Sequence, residues 1–124
     1  MYGLPPEETF GFFVGFVLSS FSVSRHQLNL SFANPAMAGD TATISVEGSL
    51  GVRLARQQER VFDNLPEAAQ QLSTLLDLVV TDVVPHRPGT LALHFADGSG
   101  IRAYDSSAHY ESYQVRHGEA VFVV

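Results

Sequence analysis

Residues 91–124 leave room for little besides an antiparallel sheet. Leu91, Leu93 and Phe95 alternate with smaller or polar residues, Asp97-Gly98 turns the chain, and Ile101 to Asp105 alternates again. Such period-two runs, separated by turn formers, are the pattern of half-buried strands in a meander. Pairing Leu93 with Ile101 keeps the apolar residues on one face. That register requires a three-residue loop, Ala96-Asp97-Gly98, with Gly98 left-handed in a bulge. A two-residue Asp97-Gly98 turn would place Leu93 opposite Arg102 and turn one strand inside out.

A weaker version of this layout occupies the first half. Leu18–Val23 aligns with Leu78–Val83 at an offset of 60, Leu28-Leu30-Phe32 with Leu91-Leu93-Phe95 at 63, and Ile44-Val46 with Ile101-Ala103 at 57. Turns of unequal length account for the changing offsets. Between the halves, Asp63 or Asn64 can cap a helix with Pro66 and Glu67 in its first turn. Leu65, Ala68, Ala69, Leu72, Leu75 and Leu76 then form its apolar stripe. The fold expected is α+β: two duplicated antiparallel β-meander units joined by one central helix packed on the sheet. It forms a single domain, 1–124, with repeats at approximately 16–49 and 76–106 and the helix at 65–77.

Two segments at the ends complete the pattern. Phe10, Phe12, Phe13, Phe16 and Phe21 make the start of the chain rich in phenylalanine, with a core strand expected from Phe16 to Val23. Near the C-terminal end, Arg116-His117-Gly118-Glu119 marks a hairpin with His117-Gly118 in its turn. Val121 and Val123 line one face of the following strand and Phe122 and Val124 the other, the pattern of a central strand or of one edge of a dimer interface.

The composition excludes several classes of function. Thirteen acids against seven bases give a formal charge of −6, the wrong balance for phosphate backbones, so no nucleic acid is expected. Arg53, Arg56 and Arg60 are the only basic cluster, interrupted by Glu59. Lysine and cysteine are absent, which removes Schiff-base chemistry, thiolate nucleophiles and cysteine-bound zinc. The apolar stretch from Phe10 to Phe21 is too short to span a bilayer, and Glu7 and Glu8 before it suit no signal peptide. No membrane association and a cytoplasmic location are the expectations. The five histidines (26, 86, 94, 109 and 117) contain no HxH or HExxH spacing, so neither a metal nor a cofactor is expected.

The densest chemistry runs from Asp105 through Ser106, Ser107, His109, Tyr110, Glu111 and Ser112 to Tyr113. On a strand, His109, Glu111 and Tyr113 would share one face. With Glu47 and Tyr104, the residues His109, Tyr110, Glu111 and Tyr113 form the candidate binding set, lining a cleft between the two halves. No catalytic residue is assigned.

The run Leu91-x-Leu93-x-Phe95-x-Asp97-Gly98, followed by Asp105-Ser106, Tyr110-Glu111-Ser112-Tyr113 and a valine-rich end, resembles a family of small uncharacterised bacterial proteins. Their shared tail reads Asp-Ser-x-x-Tyr-Glu-Ser-aromatic. His26-Gln27-Leu28-x-Leu30-x-Phe32 and Ile44-Ser45-Val46-Glu47-Gly48 are similar to that family's first half. The spacing between serine and tyrosine departs by one residue, and the resemblance implies no known activity. The reading that follows is a non-enzymatic protein-binding, regulatory or immunity-type protein, homodimeric through its phenylalanine-rich N-terminal segment. The alternative is a small-molecule binding or hydrolytic protein using the cleft.

Overall fold

The computed structural model describes residues 7–86, 89–105 and 112–124. A 3₁₀ turn, Glu7–Phe13, leads into β1 (Val17–Val23), β2 (Leu28–Ala33), β3 (Thr41–Val46), β4 (Leu50–Arg53) and β5 (Arg60–Phe62). A second 3₁₀ turn, Leu65–Ala68, runs into α1 (Ala69–Ser73). Then come β6 (Val80–His86), β7 (Thr90–Phe95), β8 (Gly100–Ala103), β9 (Tyr113–His117) and β10 (Ala120–Val123). All pairings are antiparallel and build two five-stranded sheets, ordered β1-β2-β3-β9-β10 and β5-β4-β8-β7-β6. Their apolar residues belong to one buried cluster that also takes in Phe10, Phe13, Leu65, Leu72 and Leu75 from the helical turns.

Each half contributes a three-stranded meander and then a hairpin, and each hairpin pairs with the meander of the other half. Thus β4-β5 adds to β8, and β9-β10 adds to β3. The halves match in detail. Both meanders carry a register shift in the first strand, between Leu18 and Ser20 and between Val80 and Asp82. The residue inside each shift donates its hydroxyl across the ladder, Ser19 to the Ser31 carbonyl (3.0 Å) and Thr81 to that of His94 (3.3 Å). The sheets meet at one antiparallel bridge, Val17 with Val79. Around it the Gly15 amide donates to Val80 and the Asp77 amide to Leu18, both at 2.8 Å. This bond pattern is unchanged when each residue is exchanged with the one 62 positions away. Gly15 (φ 94°) and Asp77 (φ 68°) are both left-handed and turn the chain from helix into strand. Leu18 therefore corresponds to Val80, two residues beyond the Leu78 of the sequence alignment.

The Ala96-Asp97-Gly98 hairpin forms in the expected register. Leu93 faces Ile101, the Phe95 amide donates to Ser99 (2.9 Å), and Gly98 takes φ 90°. Asp97 fastens the bulge by accepting from both the backbone amide and the hydroxyl of Ser99, and these bonds lower its carboxyl pKa.

Four expectations are corrected. The helix expected over 65–77 is α-helical only from Ala69 to Ser73. Ser73 and Thr74 donate their hydroxyls to the carbonyls of Gln70 and Gln71, and the Thr74 and Leu75 amides bond three residues back. These bonds tighten the last turn, and Leu76 falls outside the buried stripe. Phe10, Phe13 and Phe16 are buried in the chain's own core, which removes them from the dimer interface assigned to that segment. The last turn is Gly118-Glu119, with His117 paired to Ala120 and kept within β9. Finally, of the two readings of the last strand the central one gives way: β10 is an edge strand, and its inward Phe122 packs edge-on against Phe10 at 5.4 Å.

Candidate functional site

Strand alternation puts a polar array on the outer face of the second sheet. Leu50 and Val52 of β4, Ile101 and Ala103 of β8, and Leu91, Leu93 and Phe95 of β7 point into the core. The residues between them point outward. Arg53 pairs with Gly100 and Gly100 with His94, while Gly51 pairs with Arg102 and Arg102 with Ala92. A glycine thus lies between Arg53 and His94, and Arg102 rises between two small residues. The gap over Gly100 forms a depression of about 120 Å³, walled by Arg53, His94, Arg102 and Glu59.

Glu59 is held in place. Tyr104 donates its hydroxyl to Glu59 Oε1 at 2.5 Å, and Arg102 Nε lies 3.6 Å from Oε2. The carboxylate rests over Gly51, where a Cβ would collide with it and approach the Tyr104 ring to 3.0 Å. Burial and the bond to Glu59 raise the Tyr104 pKa, with Arg102 opposing, so the phenol remains a donor at neutral pH. Arg53 donates from Nη2 to the Gly98 carbonyl at 2.8 Å, which fixes its guanidinium beside the bulged turn. The Arg102 side chain is 46 % exposed, and 3.6 Å is a loose pairing. Its guanidinium can therefore take a further acceptor.

A second polar cluster sits on the first sheet. Asp40 accepts from Asn34 Nδ2 at 3.0 Å and lies 2.9 Å from His117 Nε2. Both contacts lower its pKa, the Asn34 bond most. Phe12 stacks on the His117 ring at 4.0 Å and 10°. This arrangement clasps the first 3₁₀ turn to β9, and its polar groups already satisfy one another.

Of the residues proposed from sequence, the described ones, Glu47, Tyr104 and Tyr113, do not share one cleft. Tyr104 belongs to the Glu59 array. Tyr113 is buried at 1 % exposure, on the inner side of the first sheet, and donates its hydroxyl to the Gly89 carbonyl at 2.6 Å. Glu47 is exposed at the end of β3 and its amide donates to Ser112. His109, Tyr110 and Glu111 lie outside the described residues. Arg53, Glu59, His94 and Arg102 escaped the sequence reading as a site. The signal for them was the Leu50-Val52 alternation, which marks β4 and points Arg53 outward.

Among the described residues no group of three histidines or carboxylates could hold a metal ion, and no helix is long and apolar enough to cross a membrane. No family model, no curated protein and no solved structure matches this chain.

Proposed function

We propose that this is a non-enzymatic binding protein that recognises an acidic segment of a partner protein on the outer face of its second sheet. The observation carrying this reading is the glycine-floored depression with two guanidiniums and an imidazole on its walls. Among the described residues that line it, Glu59 is the one carboxylate; it accepts from Tyr104 and pairs loosely with Arg102, so two guanidiniums against one carboxylate leave the lining net positive. In a chain of net charge −6, such a local cationic surface complements an acidic partner and orients the encounter. Size argues in the same direction. Small-molecule sites occupy roughly 300–1,000 Å³, whereas about 120 Å³ admits one carboxylate group from a larger partner.

The test uses an oligoglutamate peptide and the chain carrying both Arg53→Glu and Arg102→Glu. The unaltered protein is expected to bind the peptide, more weakly as salt is raised, and the double variant to lose at least tenfold in affinity. Equal affinity in the two proteins, measured by calorimetry, would overturn the assignment.

The same reading takes the two halves as a duplication with exchanged hairpins. The shared strand order, the paired register shifts and the bond pattern around Val17 and Val79 support it.

A further inference from the structure

Four strand edges end the two sheets, and three of them are protected against further pairing. In β1 a register shift and Ser19, Ser20 and Ser22 interrupt the edge. In β6 the same shift is joined by Asp82 and by Pro85, which has no amide hydrogen. Strand β5 has only three residues and begins with Arg60. Bulges, charges, proline and shortness are the ordinary means of blunting an edge. Strand β10, four residues long, has neither charge nor proline and pairs with β9 without a register shift. It reads Ala-Val-Phe-Val, and Val121 is 41 % exposed. Among the described residues no strand pairs with its outer side.

We propose that β10 pairs antiparallel with β10 of a second copy of this chain. The backbone orientation is set by the ladder to β9. Val124 and Tyr113 exchange both of their backbone bonds, so alternation turns Phe122 toward β9 and turns the amides and carbonyls of Val121 and Val123 outward. A two-fold axis relating antiparallel strands stands normal to the sheet, which keeps the inner faces of both copies on the same side. Centred on Phe122, it sets Phe122 against Phe122 of the partner subunit on the inner face. On the outer face it sets Val121 against the partner's Val123, with four new backbone bonds from these valines. Every cross-strand pair is apolar, and no charge opposes a like charge. That self-complementarity selects a copy of the chain over a strand of unrelated sequence. The two five-stranded sheets would become one of ten strands.

Sedimentation equilibrium of the full chain decides the matter. The mean mass should rise toward twice the chain mass as concentration passes about 100 μM, in the range of a weak association. Val121→Lys, on an outward position, should keep the protein monomeric there, while Val61→Lys on the edge strand β5 should leave the dimer intact. In the unaltered chain, exchange of the Val121 and Val123 amides should slow as concentration rises. A monomer at every concentration would overturn the proposal, and so would a dimer that survives Val121→Lys or that Val61→Lys abolishes. Should Val121→Lys fail to fold, the amide exchange decides, and concentration-independent exchange sinks the pairing.

Discussion

Phe13→Ala is expected to cost about 3–5 kcal/mol of folding stability, the range for truncating a buried phenylalanine, while Val14→Ala beside it stays within about 0.5 kcal/mol. The two residues are neighbours in sequence and opposites in environment: Phe13 is fully buried and Val14 is 52 % exposed. The Phe13 ring meets Phe32 edge-on at 5.2 Å, Phe16 at 6.4 Å and Phe12 at 4.4 Å. Truncation therefore removes burial and leaves a cavity among rings held by the helical turn, the residue before β1 and β2. Urea unfolding with a shared slope measures both variants. If Phe13 served an interface, its removal would change solution mass and leave the unfolding midpoint in place, and that outcome would contradict the packing described.

The same segment explains why part of the fold was legible in the sequence and part was not. Phenylalanine favours strands, so a run of them before Val17 reads as one. Phe10 and Phe13 are three apart, however, and on a 3₁₀ turn that spacing stacks both rings on one side. The meanders were legible because Leu28-Leu30-Phe32 and Leu91-Leu93-Phe95 alternate cleanly, and because Asp97-Gly98 carries its own turn chemistry. The hairpin β4-β5 was not. Gly51 breaks its pattern, Arg60–Phe62 is too short to display a period, and its partner β8 is some fifty residues away. β10 left two readings open for a related reason: apolar residues on both faces suit a central strand or an edge that pairs with a second copy, and here Phe122 meets Phe10 while Val121 stands open. The site follows the hairpin. Tyr104 entered the candidate set as a wall of the expected cleft, but its partner Glu59 lies 45 residues earlier. Only the swapped pairing of β4 with β8 brings them together.

Tyr113→Phe should cost about 1–3 kcal/mol, the penalty for leaving a buried polar group without its partner. Its hydroxyl is the donor to the Gly89 carbonyl at 2.6 Å, across the gap between β9 and the β6-β7 connection, and phenylalanine fills the same space without that bond. Alkaline titration separates this structural role from a functional one. Burial, and after it the negative charge of Asp105, push the Tyr113 phenol well above its usual range. The folded chain therefore holds the proton at a pH where the unfolded chain, with a tyrosine pKa near 10, releases it. Unfolding is then favoured as pH rises, so the stabilisation is complete below about pH 10 and lost above it. The unaltered protein should weaken steeply over that interval. Tyr113→Phe should begin less stable at neutral pH and show a shallower alkaline decline, with Tyr104, whose pKa is also raised, contributing to the slope that remains. Equal slopes in the two proteins, followed by urea midpoints from pH 8 to pH 11, would place Tyr113 in contact with solvent. A variant as stable as its parent would release Tyr113 from the core and return it to the set of candidate ligand contacts.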